Sequence, residues 1–493
     1  PCEVSHGKRQ FHRVPGETCT MSDITARLAA MQSLDVPVVG GRTLAYVYDA
    51  GIPEAEEVGK AAVAAYAGSN GLDPTAFPSL LQMENEVVGF ALDMIDAPDS
   101  AVGTVTSGGT ESVLLAVLGA RQAHPSTTPN IVVPSTAHAA FHKAGEYFGV
   151  QVRVAPTGAD HRANPAAMSD LVDGDTVLIV ASAPSYAHGV IDPVKEIADL
   201  AIKHETRMHV DACIGGFVLP FAAKIGRPVT PWTFDVPGVS SISLDLHKYA
   251  YAPKGTSLLL HRDAQLRRPQ YFATAHWPGY TLVNPTLQST KSGGPLAGAW
   301  AVLNTIGPEG YKKLTAHTFD GVDQLLDMIA KHPDLRLVGQ PDSTLICFEA
   351  EGSCDVFTIA DLMHTRSWWV QPQLSYDGHP ANLHLTLSAA TDVPSFIKDL
   401  EAAVADAVAQ GPISLDSDVL AFVQALDPTA LSDAEFDGLL AAAGMVGGDG
   451  IGLPEEMAPI NALLDAASPA MRESLLTVYM DRLLRPTRVG SAP

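Results

Sequence analysis

Cysteine is scarce in this chain: five in 493 residues (Cys2, Cys19, Cys213, Cys347 and Cys354), scattered and odd in number. No CxxC pair or Cys/His cluster occurs, which argues against a zinc site and against a disulfide framework. A reducing, cytosolic setting is the simplest expectation. Positive charge is also short: 31 lysines and arginines stand against 55 acids, a net charge of −24. A surface that binds a polyanion needs the opposite balance, so nucleic acid is not an expected partner. A local basic pocket for a single phosphate is untouched by that argument. Charged residues make up only 17% and hydrophobic ones 46%, which excludes a disordered chain. No apolar run approaches the ~18 residues of a membrane span. The first twenty residues, PCEVSHGKRQFHRVPGETCT, lack the apolar stretch of a secretory leader, and no membrane anchor is expected. Met21 is a candidate natural start. What remains is an acidic globular chain long enough for two or three packed domains.

Residues 1–95 read as an arm followed by helices. A short helical pattern lies around Ile24–Leu34, and another spans Pro53–Ala67, where a proline suits the first turn and acids enrich it. An amphipathic stretch runs from Leu80 to Met94. Over 96–315 the rhythm changes. AVGTVTSGG, NIVVPS, VQVRVAP, DTVLIVASA, RMHVDA, SSISLDLHKY and TSLLLHR alternate with helical patterns. Apolar runs too short for helices, separated by helices, predict a mostly parallel sheet covered on both faces, hence an α/β large domain. A long helical pattern beyond Ala316 opens a smaller α+β domain (316–410) with strands LRLVG, STLICFEA and ANLHLTLS. Residues 411–493 read as a helical tail broken by GMVGGDGIGLPEE.

Four features carry chemistry, and they fall in order inside the α/β domain. TSGGTES (Thr106–Ser112) lies between a strand and a helix; small residues there let backbone N–H groups approach an anion at a helix start. Thr110 and Ser112 add hydroxyl donors. Alone, the segment reads more readily as an ordinary capped glycine turn. His138, in PSTAHAAFHKA, is placed to stack on a planar ligand, although a lone histidine is more often structural. Asp211, in MHVDACIGG, ends a predicted strand, where α/β sheets bind their ligands. Its carboxylate suits a protonated ring nitrogen and equally suits a helix cap. Lys248, in SLDLHKYAYAPKG, is flanked by Leu, Tyr, Ala and Pro; desolvation there lowers an amine's pKa toward a reactive free base. The alternative is a snorkelling surface lysine. Together, a phosphate cradle, a ring-stacking imidazole, an acid for a ring nitrogen and an amine nucleophile are the parts of a pyridoxal phosphate site.

At this point the chain resembles the group II pyridoxal-phosphate-dependent decarboxylase family, and within it the sphingosine-1-phosphate-lyase-like branch. The likeness runs through TSGGTES, AHAAFHKAGEYFG, AHGVIDPV, HVDACIGGF, SISLDLHKYAYAPKGTSLLL and STKSGGPLAGAWAVL, over roughly residues 40–400. It implies a fold-type I transferase architecture with pyridoxal 5'-phosphate as cofactor. By the same resemblance Lys248 is the Schiff-base lysine and Asp211 the partner of the ring nitrogen. His138 stacks on the ring, Gly109 and Thr110 hold the phosphate, and His247 lies beside it. Lys254 matches a lysine that positions a phosphorylated substrate. Tyr48 in AYVYD falls near an active-site tyrosine, with Tyr46 a competitor; His188 and Tyr186 are further substrate-side candidates. Lys291 in STKSGGP stands where the lyases carry an arginine in GSRPGG, thought to reach the neighbouring subunit's cofactor phosphate. That implies a homodimer with shared active sites.

Three departures qualify the resemblance. SNGLDPTAFPS puts Asp73 where the lyases have a histidine in SNPLHPDIFPG, and a carboxylate there repels a substrate phosphate. Lys291 grips an anion as a point charge instead of a fork. A counterpart of the eukaryotic lyases' membrane anchor is not expected here. The resemblance therefore implies a cytoplasmic aldehyde-lyase acting on a small, phosphorylated amine. The alternative is an amino-acid α-decarboxylase, since substrate positioning decides which bond breaks. A catalytically dead scaffold of the same fold is the reading from another class.

Overall fold

A computed structural model describes residues 20–427, 429, 433–442, 446–447, 450–451, 456–484 and 486. The predicted arm before Thr20, with Cys2 and Cys19, and most of GMVGGDGIGLPEE lie outside the described residues. All seven apolar runs of the α/β region form strands: β1 (Val102–Thr106), β2 (Asn130–Pro134), β3 (Gln151–Ala155), β4 (Thr176–Ser182), β5 (Arg207–Asp211), β6 (Val239–Asp245) and β7 (Ser257–His261). They make one sheet in the order β1-β7-β6-β5-β4-β2-β3. The pairs from β6 through β3 are parallel, while β7 runs antiparallel to both β6 and β1. β2, β4, β6 and β7 are buried along their whole length, as a sheet covered on both faces requires. Each large apolar side chain that the sheet removes from water contributes about 1.5–3 kcal/mol.

Helices form where the sequence places them. α1 spans Met21–Gln32, α2 Pro53–Ala65, α3 Pro78–Met94, α4 Gly109–Ala123 and α5 Ala140–Phe148. The helical pattern expected beyond Ala316 begins earlier, at Gly293. The run Gly293–Lys331 is interrupted at Gly307, whose φ of 62° only glycine adopts readily, just before Pro308. Two features were not legible: the hairpin of Phe272–Thr274 with Leu282–Asn284, and the strand Gln371–Gln373. Each is three residues long, too short for an alternation to register.

The chain packs as two compact units. One comprises 38–348 with 384–397 and holds the seven-stranded sheet; the other comprises 349–383 and the residues from 398 onward, with those before 38. In the second unit the helices Ser417–Ala425, Asp433–Ala442, Ala458–Ala466 and Pro469–Leu483 close around Val423, Phe436, Ile460, Leu463 and Met471. The short strands expected from LRLVG, STLICFEA and ANLHLTLS form at Leu335–Leu337, Leu345–Ala350 and Asn382–Thr386. Among the described residues no helix is long and apolar enough to cross a membrane.

Strand register sets where the polar ends of the large sheet fall. Ser182 of β4 pairs with Asp211 of β5, which pairs with Ser243 of β6. Asp245, two residues on, pairs with Ser257 of β7, which pairs with Thr106 of β1. The polar residues that end these apolar runs therefore line up along one edge of the sheet.

Candidate active site

That edge opens onto a cavity of about 400 Å³. Its floor includes Gly108, Gly109 and Thr110 at the start of α4, with His138, Asp211, His247 and Lys248 around it. Gly108 supplies no side-chain cap to α4, so the first N–H groups of that helix are available to an anion. Gly109 has to be glycine, because a Cβ there would stand 2.7 Å from Asp245 Oδ1 and 2.8 Å from Cys213 Sγ. Glu111, in the first turn of α4, accepts from the Ser107 N–H at 2.6 Å and from the Leu287 and Gln288 N–H groups at 2.9 and 3.2 Å. It ties the glycine loop to a segment 176 residues away.

Asp211 is buried at the end of β5. Its Oδ1 accepts from the Cys213 N–H at 3.1 Å and from the Ser243 hydroxyl at 3.2 Å. A second acid, Asp245, ends β6 and lies 2.9 Å from Lys248 Nζ through Oδ2. His247 Nε2 is 3.7 Å from the same oxygen, and the Ser257 hydroxyl donates to Oδ1. Burial pushes the Asp245 carboxyl up, but Lys248 and His247 outweigh it and hold it below the usual carboxylate range. Lys248 shows the reverse balance. Burial pulls the amine down, and Asp245, with smaller help from Tyr48, Cys213 and Asp211, lifts it above an ordinary lysine. The sequence-based expectation of a lowered Lys248 pKa is thus corrected: its chain neighbours are apolar, but its nearest neighbour in space is a carboxylate.

The cavity's chemistry matches pyridoxal phosphate on its own terms. His247 Nδ1 is buried, and the Gly108 Cα faces its ring closely enough that a Cβ would sit 3.6 Å from Cε1. A buried imidazole nitrogen beside an uncapped helix start is a place for phosphate oxygens. Burial lowers the His247 pKa. His138 is exposed at the cavity, its Nδ1 fixed by the Ala140 N–H at 3.1 Å, so its ring face is positioned for stacking.

The remaining candidates fall into three groups. Tyr48 meets Tyr249 edge-on at 5.1 Å and carries Lys254 Nζ 5.0 Å above its ring. Burial pushes its phenol to about 12, with the Lys248 charge opposing. Tyr46, at φ 63°, is 65% exposed. Lys254 donates to the Tyr46 and His247 carbonyls at 2.8 and 3.2 Å. Although its surface reaches solvent, crowding by protein atoms and the Lys248 charge bring its pKa down to about 8. Tyr186 lines the cavity and stacks on His384 at 4.3 Å, its hydroxyl buried with no partner among the described residues. His188 does not line the cavity; it stacks on His161 at 4.1 Å.

Lys291 is not brought to the cavity either. It lies in a second one, of about 600 Å³, shared with Asp73 and Glu84. Its Nζ donates to the Val105 carbonyl at 2.8 Å and pairs with Glu84 at 3.3 Å. Asp73 accepts from the Thr75 hydroxyl and N–H at 2.6 and 2.8 Å, which lowers its pKa and keeps it ionised. Sequence reading missed Asp245 and Glu111. For Asp245 the available signal was a carboxylate three residues before the lysine, closing an apolar strand. For Glu111 there was none, because its partners are distant in the chain.

Comparison with known proteins gives a consistent set of likenesses. Residues 59–351 match the family model of the pyridoxal-dependent decarboxylase conserved domain, and 417–482 match that of a C-terminal HTH domain in pyridoxal-dependent enzymes. The chain is 37% identical over 361 residues to the sphingosine-1-phosphate lyase of Oryza sativa subsp. japonica, covering 71% of this chain and 66% of that protein. It is 32% identical over 399 residues to sphingosine-1-phosphate lyase 1 of Rattus norvegicus, covering 79% and 69%. The solved structure of Burkholderia pseudomallei sphingosine-1-phosphate lyase superposes with a TM-score of 0.76 at 31% identity, covering 81% of this chain and 94% of that one. The chain spans just under two thirds of the length of the plant relatives it matches.

Proposed function

Because the chain belongs to the pyridoxal-dependent decarboxylase family, on its sphingosine-1-phosphate-lyase-like branch, we propose that it is a carbon–carbon lyase. It would cleave a phosphorylated long-chain base, or a similar β-hydroxy amine, to an aldehyde and an amine such as phosphoethanolamine. The observation that carries this reading is the convergence of Lys248, Asp211, His247 and the uncapped start of α4 on one cavity. Pyridoxal phosphate, when bound, supplies an electron sink for the pair released as the substrate's Cα–Cβ bond breaks.

The protein's own groups do the rest. The Gly109 and Thr110 N–H groups and His247 Nδ1 would hold the phosphate. Asp211 would keep a proton on the ring nitrogen, and His138 would pack against the ring. Lys248 would be the amine that bonds the cofactor. Tyr48 and Lys254 are the candidates for moving the substrate's β-hydroxyl proton as the aldehyde forms and for contacting its phosphate, whereas His188, stacked on His161 away from the cavity, is not placed to join them. We take the active unit to be a cytoplasmic homodimer with shared sites, in which Lys291 serves the partner's phosphate.

A second reading, amino-acid α-decarboxylation, is favoured by Asp73, an ionised carboxylate in the cavity that holds Lys291. One experiment separates the two. The loaded protein is given sphingosine-1-phosphate and, separately, a panel of amino acids, and phosphoethanolamine and carbon dioxide are both assayed. Fatty aldehyde with phosphoethanolamine supports the lyase. Carbon dioxide from an amino acid, with the lipid untouched, replaces it with the decarboxylase.

A further inference from the structure

Two acids stand in the cavity, and their contacts differ. Asp211 spends Oδ1 on the Cys213 N–H and the Ser243 hydroxyl, within its own strand neighbourhood. Asp245 is 3% exposed, and three parts of the fold meet on its carboxylate. Ser257, its register partner on β7, donates to Oδ1. Lys248 Nζ is 2.9 Å from Oδ2, with His247 Nε2 at 3.7 Å. The first residue of α4 leaves room for both oxygens, because a Cβ at Gly109 would lie 2.7 and 2.8 Å from them. A carboxylate this deep is costly unless it is paired, and the pairing found here is to the nitrogen that must react. The titratable groups around that nitrogen are Asp245 and His247 on its own segment, Asp211 and Cys213 from the end of β5, Tyr48 from the amino-terminal segment, Tyr186 from the loop after β4, and Lys254.

We propose that Asp245 is the positioning partner of Lys248: it keeps the free lysine as an ammonium, fixed beside the start of α4, and still faces the nitrogen's positive charge once Nζ has bonded a carbonyl carbon. The balance closes without another reactant. As the nitrogen–carbon bond forms, the carbonyl oxygen departs as water and carries two of the nitrogen's three protons. The nitrogen keeps the third proton and the positive charge, still facing the carboxylate.

The consequence for cofactor loading rests on reading Lys248 as the cofactor lysine; the test does not, because it is made on the full chain freed of cofactor. Side-chain carbon shifts of labelled lysines are followed with pH, and the Lys248 signal is identified by its absence in Lys248→Arg. In the unsubstituted chain the Lys248 midpoint should lie above the ordinary lysine range. In Asp245→Asn, which preserves shape, it should fall by at least about one pH unit, a tenfold change in acid constant. In Ser257→Ala, which keeps the carboxylate but removes its donor, the midpoint should not fall. An unchanged midpoint in Asp245→Asn overturns the proposal, as does an equal fall in both variants, which would report a loosened pocket. If Asp245→Asn does not fold, a Lys248 midpoint below the ordinary range in the unsubstituted chain overturns it alone. Failure of the lyase and decarboxylase readings would leave this titration unaffected.

Discussion

Replacing Gly109 with alanine tests whether the start of α4 is held where a phosphate needs it. The new Cβ would meet Asp245 Oδ1 at 2.7 Å, Oδ2 at 2.8 Å and Cys213 Sγ at 2.8 Å. None of these atoms can retreat easily. Asp245 is tied to Ser257 and Lys248, and Cys213 is buried with its Sγ 3.4 Å from the Ser243 hydroxyl. The helix start must therefore move by several tenths of an ångström, and overpacking of that kind costs about 1–3 kcal/mol. If the cost falls on the cofactor-binding geometry, pyridoxal phosphate binding weakens by about 5- to 150-fold. Gly89→Ala is the paired control. It makes the same chemical change inside α3, where nothing lies within 4 Å of the new Cβ, and it should stabilise the chain by about 0.5–1 kcal/mol. Equilibrium binding of pyridoxal phosphate and thermal midpoints are measured for both. If Gly109→Ala binds the cofactor within about twofold of the parent chain and keeps its midpoint, crowding by Asp245 and Cys213 is not what requires a glycine there, and the reasoning fails.

Other substitutions probe separate parts of the same edge. His209, fully buried between Ser241 and Ser243, has its pKa lowered by burial to about 4, whereas the unfolded chain takes up that proton near 6.5. A depressed folded value means stability is present above pH 6.5 and lost as pH falls toward 4, by about 3 kcal/mol from this group. Denaturant melts at pH 7 and pH 4.5 should show that loss, and His209→Gln should reduce it. Lys254, at about 8, should impose a rise in KM as pH climbs through 8 if its charge meets the substrate phosphate. Lys254→Arg should remove that limb, and an identical profile in the variant would exclude the contact. Tyr186→Phe removes a buried hydroxyl with no partner among the described residues, so stability should change by less than about 0.5 kcal/mol while kcat falls. A stability loss above about 1 kcal/mol would mean the hydroxyl serves the fold instead.

Most of the fold was legible because its strands are buried on both faces, so NIVVP, TVLIVAS and SLLLH appear as apolar runs that helices cannot explain. The order of those strands was not legible beyond their being mostly parallel. Much of the site was legible for a related reason. Asp211, His138, Gly109 and Lys248 each interrupt or end an apolar run, and polar residues in that position point past the edge of a sheet. Asp245 obeys the same rule and was passed over because it falls within SSISLD, where one acid after an apolar run reads as a strand terminus. The error about Lys248 shows why such a residue matters more than the composition around it. Local sequence can indicate that an amine is desolvated, and desolvation always favours the neutral form. The direction of the net shift depends on the nearest charge. A carboxylate at 2.9 Å, itself shielded from water, reverses the effect of every apolar neighbour in HKYAYAP. Register put that carboxylate there, since Asp245 faces Ser257 across β6 and β7 and Gly109 leaves the space it fills. The protonation state of Lys248 is therefore a property of strand pairing.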